Sequence, residues 1–339
     1  MAIVGHWESL TEAQKLVQSK LLKGVVEEVI EEGSLLPELP VMAIDSKSLL
    51  YNRESTLPSA SFYDIHEQIP WTADVDYTDQ VEVILKRVAR QDVLDQFMMD
   101  TYRDPNDYRT IVLSELRKGC MRTIEDKLIY GDVDNDAAEF DGIFHLFKAD
   151  AAGGESFDTT GNYPQIYDMG DAALSVQIFR QMLDRVRPKA SVVLMSRTIR
   201  NLLSAAAFEA GIASTYPAGG ISYSKNEYGT RIDFFDGIRL LVSDYMVDED
   251  DHTGDKATSA TGIQSICAIR FGQIMDGGLC LCTGGTTGGP EFFKIRELEA
   301  LEDYDAAGIR LTAYCALALG SNLGAARITS IDREAAVVA

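Results

Sequence analysis

The chain has 339 residues, 46% of them apolar, and a formal charge of −22 from 53 acidic against 31 basic side chains. That length exceeds the range in which one core usually keeps growing, so two lobes are expected, and the acidic surplus disfavours direct binding to nucleic acid phosphates or anionic membranes. The start has no basic segment followed by an apolar core, no later stretch offers about 18 uninterrupted apolar residues, and the five cysteines lack CxxC spacing, which together predict a cytosolic protein without a disulfide framework or zinc site.

Residues 11–32 begin with Thr11 as a cap and set Leu16, Leu21, Val25, Val26 and Ile30 at helical spacing, so an amphipathic helix leads the chain. After Gly33, Pro37 and Pro40, an extended region runs over residues 41–90, with strand-like alternation at both ends and Val81, Val83 and Leu85 on one face. Its middle, STLPSASFYDIHEQIPWTADVD, holds two prolines together with Phe62, Tyr63, Ile65, Ile69 and Trp71. Such a stretch is long for a loop in a compact domain and too aromatic for a disordered linker, so these five side chains are expected to pack on something outside their own domain. Arg53 and Glu54 stand at its root. They form either an ion pair with a neighbouring subunit or a solvated surface pair worth at most about 1 kcal/mol, and the sequence does not separate the two.

A short helix is expected over DVLDQFMMDTY, followed by a long one in which Asp104 caps, Pro105 takes the first helical position and Asp107 faces the positive end of the helix dipole. Tyr108, Val112, Leu116, Cys120, Ile124 and Leu128 then recur every four residues, with Ile111, Leu113 and Met121 widening the stripe. To Tyr130 this gives about 26 residues, or roughly 39 Å of helix. The helix exits into YGDVDNDAAEFDGIF, whose Asp132, Asp134 and Asp136 have the rhythm of a calcium loop. Ala137 and Ile143 stand where an EF-hand needs a glycine and a bidentate glutamate, so the segment is read as an acidic turn.

From about residue 160 the texture is mixed α/β. DMGDAALSVQIFRQMLDRV reads as a helix, ASVVLMS as a buried strand, and SRTIRNLLSAAAFEAGI as a helix opening on Ser196 and ending at Gly211. TYPAGGISYSKNEYG reads as a loop; TRIDFFD, IRLLVSDYM, IQSICAIRF, GLCLCTG, FFKIRELE and IRLTAYCALALG read as strands, and the acidic residues 247–262 as an exposed, mobile connection.

Chemistry-bearing motifs are absent. His6, His66, His145 and His252 sit in no HExxH, and no GxSxG elbow accompanies them. His145 is read as a structurally bonded histidine rather than a catalytic base, since no nucleophile can be named for it. Cys280 and Cys282 alternate on one strand face and read as buried thiols, and GGTTGGP at 284–290 lacks the GK[ST] ending of a phosphate loop. No catalytic residue, metal ligand or cofactor is therefore assigned.

The order of elements, with YNRESTLPSASFYDI leading into the extended region, KLIYGD and EFDGIFHL after the long helix, and DGIRLLVSDYM, AIRFGQIMDGG and GIRLTAYCALALGSNLGAARI late in the chain, resembles the major capsid proteins of tailed bacteriophages. The likeness covers approximately residues 10–332. It implies an α+β Hong Kong 97-like capsid fold: an N-terminal arm (1–40), a projecting loop (41–90), a peripheral lobe with the spine helix (91–160), an axial α/β lobe (161–310), and a return strand to the peripheral lobe with the tail (311–339). By the same likeness Arg53, Glu54, Phe62, Tyr63, Ile65, Ile69 and Trp71 are inter-subunit contacts, and the chain is a non-enzymatic subunit of pentamers and hexamers. These build a virion head, assembled in the host cytoplasm, that encloses double-stranded DNA without sequence-specific binding.

The same likeness implies other copies of the chain and a portal protein as partners, with room for a decoration protein; some proteins of that family carry a cleaved scaffolding segment, and with only about 10 residues before the first helix here, a separate scaffolding protein is expected. Some proteins of the family the chain resembles link subunits covalently through a lysine on the projecting loop; no lysine lies between Lys47 and Lys86 here, so the shell is expected to hold by noncovalent contacts. Two rivals remain: an encapsulin-type nanocompartment built on the same fold, and a soluble α/β enzyme using residues 51–80 as a lid.

Overall fold

The structure, a computed structural model, describes residues 33–53, 60–69, 71, 79–101, 108–146, 165–209, 221–225, 231–250, 255–284, 292–298 and 305–338. The expected leading helix at 11–32, the cap at Asp104 to Asp107, Glu54, and the glycine cluster beyond Gly284 lie outside them.

One sheet is organised around a single long strand. In it β1 (Val41–Ile44), β4 (Lys86–Asp95), β11 (Leu279–Gly284) and β12 (Phe293–Leu298) gather on β13 (Ala306–Leu319). Along one edge β13 pairs first with β12 (Gly308 opposite Leu298) and then with β11 (Cys315 opposite Thr283), and β1 extends β11 in parallel. Along its other edge it pairs with β4, from Ala306 opposite Asp95 to Cys315 opposite Lys86. A strand flanked on both edges and covered on both faces reads as a nearly continuous apolar run, as GIRLTAYCALALG does.

The long helix α2 (Tyr108–Tyr130) lies on this sheet. Its 23 residues span roughly 34 Å at 1.5 Å per residue, and the four-residue row Val112, Leu116, Cys120, Ile124 and Leu128 is buried throughout. Val112 and Leu116 pack with Leu94 and Ile309, whereas Ile124, Leu128, Ile129 and Tyr130 enter the largest core. A short helix, α1 (Gln96–Thr101), precedes it, and β4 takes residues 92–95, which the sequence assigned to that helix, because they pair with the start of β13.

The helix exit is fixed by two glycines. A β-carbon on Gly131 would stand 2.2 Å from the Phe140 carbonyl oxygen, and one on Gly142 2.7 Å from that of Ile129, so the chain can double back to α3 (Ile143–Leu146) only with hydrogen there. The aspartates between serve the turn itself: Asp132 accepts from the Asp134 amide, Asp136 from Ala138, and Asp141 from Val133.

The second sheet runs β5 (Ile166–Ala172), β14 (Ala325–Asp332), β10 (Ile263–Ile269), β6 (Val192–Met195), β9 (Ile238–Val242), β8 (Arg231–Phe235), β7 (Ile221–Lys225). Side-chain alternation divides it between two cores. Val193, Met195, Ile266, Ala268 and Ile328 face Phe179, Met182, Ile199 and Leu203 of α4 (Val176–Arg185) and α5 (Arg197–Glu209), while Val192, Leu194, Cys267 and Ile269 join the core shared with the spine helix. Ser196 caps α5 as expected, its Oγ accepting from the Ile199 amide at 3.3 Å.

Strand pairing divides the chain differently from the expected segments 161–310 and 311–339. β11 and β12 belong to the spine-helix sheet, and the supposed single return strand is two: β13 in that sheet and, after a 3-10 turn at Asn322–Gly324, β14 in the seven-stranded one. Residues 168–172, read as helix, form β5 against β14, and 221–225, read as loop, form β7 against β8. The acidic stretch 247–262, read as an exposed connection, is divided: Asp248 and Glu249 are buried, whereas residues 255, 256 and 258–261 are exposed.

Candidate assembly surface

The hairpin of β2 (Ser48–Arg53) and β3 (Asp79–Ile84) forms a two-stranded sheet of its own, with Arg53 opposite Asp79. Leu49, Tyr51 and Val81 pack their apolar sides against the main core. The root is then fastened by two side chains on the same strand face. The Tyr51 hydroxyl donates to the Leu319 carbonyl at 2.6 Å, and burial pushes its pKa up. The Arg53 guanidinium donates to the carbonyls of Leu319 (2.6 Å) and Gly320 (3.2 Å) and to Asn322 Oδ1 (2.7 Å), and it lies 5.7 Å from the Tyr51 ring centroid. Arg53 is thus engaged with the end of β13 in its own chain. Sequence reasoning missed Tyr51 and Asn322; the i, i+2 spacing of Tyr51 and Arg53 was the signal for the first.

Farther out, the large apolar side chains among the described residues are exposed. Phe62 and Trp71 are fully exposed, Ile65 is 84% and Ile69 65% exposed, and Tyr63 40%. Polar groups between them are satisfied locally: the Asp64 amide donates to Glu67, the Asp64 carboxylate accepts from the Ile65 amide, and His66 turns the chain at φ 77°. Fully burying one such apolar side chain is worth about 1.5–3 kcal/mol. A segment presenting several together has the character of a surface meant to be covered.

At the exit of the spine helix, donor atoms of Asp132, His145 and Asp255 lie within 4.8 Å of one another. His145 is not the bonded structural histidine the sequence suggested: its Nδ1 is buried without a hydrogen-bond partner, and its Nε2 is 3.7 Å from Asp255 Oδ1. The cysteines are buried and reduced; Cys280 and Cys282 share a hydrogen bond that lowers the pKa of the first thiol and, with burial, raises that of the second.

No family model matches the chain and no curated protein matches it. Solved structures do. The holo-SrpI encapsulin complex from Synechococcus elongatus PCC 7942 superposes with a TM-score of 0.67 at 15% identity, covering 97% of this chain and 98% of that one. The capsid of a native GTA particle gives 0.63 at 12% identity over 94% and 96%, and that of Microbacterium phage Oxtober96 gives 0.55 at 13% over 95% and 98%. With its spine helix, projecting hairpin and two sheets, the chain has the Hong Kong 97-like capsid fold.

Proposed function

We propose that this chain is a shell-forming protein, the major capsid protein of a tailed-phage head, which assembles into pentamers and hexamers around double-stranded DNA and catalyses no reaction. The observation that carries this reading is the exposed set Phe62, Ile65, Ile69 and Trp71 on a hairpin whose root is bonded to the chain's own core. These side chains, with Tyr63, Glu54 and the neighbourhood of Arg53, would lie over the adjacent subunit. The shell's own copies are the first partner; a scaffolding protein, a portal and a decoration protein complete the set, and the location is the virion, after assembly in the host cytoplasm. The net charge of −22 suits an inner wall that releases phosphates rather than gripping them.

An encapsulin-type nanocompartment is the second reading, favoured by the end-to-end likeness to the SrpI encapsulin complex. Negative-stain electron microscopy with light scattering on the protein, alone and with neighbouring gene products, tests both. Closed shells or rings of five and six are expected; large, DNA-filled heads support the first reading and small, nucleic-acid-free shells the second. A monomer or dimer under every condition would overturn both.

A further inference from the structure

Both sides of the turn at the exit of the spine helix meet a segment more than 100 residues later in the chain. Asp132 follows the last turn of α2, His145 sits on α3, and Asp255 lies in the segment between β9 and β10. That segment folds back on itself, the Asp250 amide donating to the Asp255 carbonyl and the Ala257 amide to the Asp248 carbonyl. Among the described residues Lys127 pairs with Glu139 at 2.6 Å and Lys256 with Asp126 at 3.0 Å.

The histidine supplies an observation independent of the carboxylates. Its side chain is 18% exposed, Nδ1 is sealed from solvent with no partner, and the Nε2 to Asp255 Oδ1 separation of 3.7 Å is too long for a hydrogen bond. Two ligand atoms on a tetrahedral ion with bonds of about 2.0–2.1 Å stand roughly 3.3 Å apart, so a small side-chain rotation converts the pair into ligands. One imidazole with two carboxylates selects a borderline ion over calcium or magnesium, which take oxygen donors. We propose that Asp132, His145 and Asp255 bind one divalent ion of the zinc class, which ties the segment between β9 and β10 to the exit of the spine helix.

The test is calorimetric titration of the metal-free full-length protein with zinc chloride, repeated with cobalt to read the visible absorption of a tetrahedral site. One ion per chain is expected, with affinity falling at least tenfold in His145→Asn and in Asp255→Asn and unchanged in Asp134→Asn. Asp255 is 59% exposed, so its variant remains informative if His145→Asn fails to fold. Absence of saturable zinc binding, wild-type affinity in both variants, or binding of calcium in preference to zinc would each overturn the assignment.

Discussion

Arg327 on β14 donates from Nη2 to Glu249 Oε2 at 2.5 Å, with both side chains wholly buried. Ser265 on the adjacent β10 donates to the same carboxylate oxygen at 2.6 Å, and the guanidinium stacks 4.0 Å from the centroid of the Phe144 ring just beyond the spine helix. One cation thereby joins the seven-stranded sheet, the segment after β9 and α3. Removing one partner of such a pair strands a buried charge, which typically costs 3–5 kcal/mol, whereas removing both costs far less. Arg327→Met should therefore lower the urea midpoint sharply, and Arg327→Met combined with Glu249→Gln should recover much of the loss. Equal midpoints for the single and double variants would show that the pair carries no such coupling.

A different readout isolates the hairpin root. The Arg53 guanidinium makes three hydrogen bonds to the end of β13 and the turn after it, and bonds from a charged donor contribute about 1.5–3 kcal/mol when desolvated, less here because Arg53 is only half-buried. Arg53→Ala should leave the far-ultraviolet circular dichroism intact, lower the melting temperature by a few degrees, and speed proteolysis between β2 and β3 severalfold. Arg53→Lys should not restore protection, because an ammonium cannot reproduce the planar fork. Unchanged cleavage rates in Arg53→Ala would remove the root from the account.

Local pattern carried the spine helix: a four-residue apolar row is legible because Val112, Leu116, Cys120, Ile124 and Leu128 all lie buried on one face. It also carried the exposed hairpin, since Phe62 and Trp71 in a proline-containing stretch have no local element to bury them. Sheet membership was not legible. β13 and β14 are apolar runs separated by one short turn, and only their distant partners, β4 for the first and β10 for the second, decide which sheet each enters. Burial of Glu249 was hidden for the same reason, its counter-ion lying 78 residues away. Asp132 and His145 are joined by one local turn, but Asp255 reaches them through tertiary structure alone, so no spacing motif could reveal the set.

Covering the hairpin should depend on its apolar tip more than the fold does. Trp71 and Phe62 are fully exposed in the single chain, so Trp71→Ser and Phe62→Ser should shift unfolding midpoints by no more than about 0.5 kcal/mol. If each side chain buries against a neighbour, assembly loses about 1.5–3 kcal/mol per contact, a rise of roughly 10- to 150-fold in the concentration needed for assembly. Light scattering against concentration measures this directly. Wild-type assembly by both variants would exclude these residues from the subunit contact.

Glu125 links the spine helix to the start of the described chain. Its Oε1 accepts from the Leu36 amide at 2.9 Å while Oε2 is buried without a partner. Burial raises its pKa, and the Leu36 and Leu35 amides offset only part of that rise. A carboxyl with a raised folded-state pKa holds its proton more tightly in the native chain than in the unfolded one. Its contribution to stability is therefore full below the ordinary glutamate value and is lost as pH climbs through the folded value, at about 1.4 kcal/mol per pH unit within that window. Glu125→Gln keeps the acceptor for Leu36 and cannot ionise. Its stability relative to wild type should increase between pH 4 and pH 8, with the gap in urea midpoints widening as the pH rises. A gap of constant size across that range would mean that the carboxylate is solvated in the native state, and the clamp on Leu36 would then have to be explained without a buried charge.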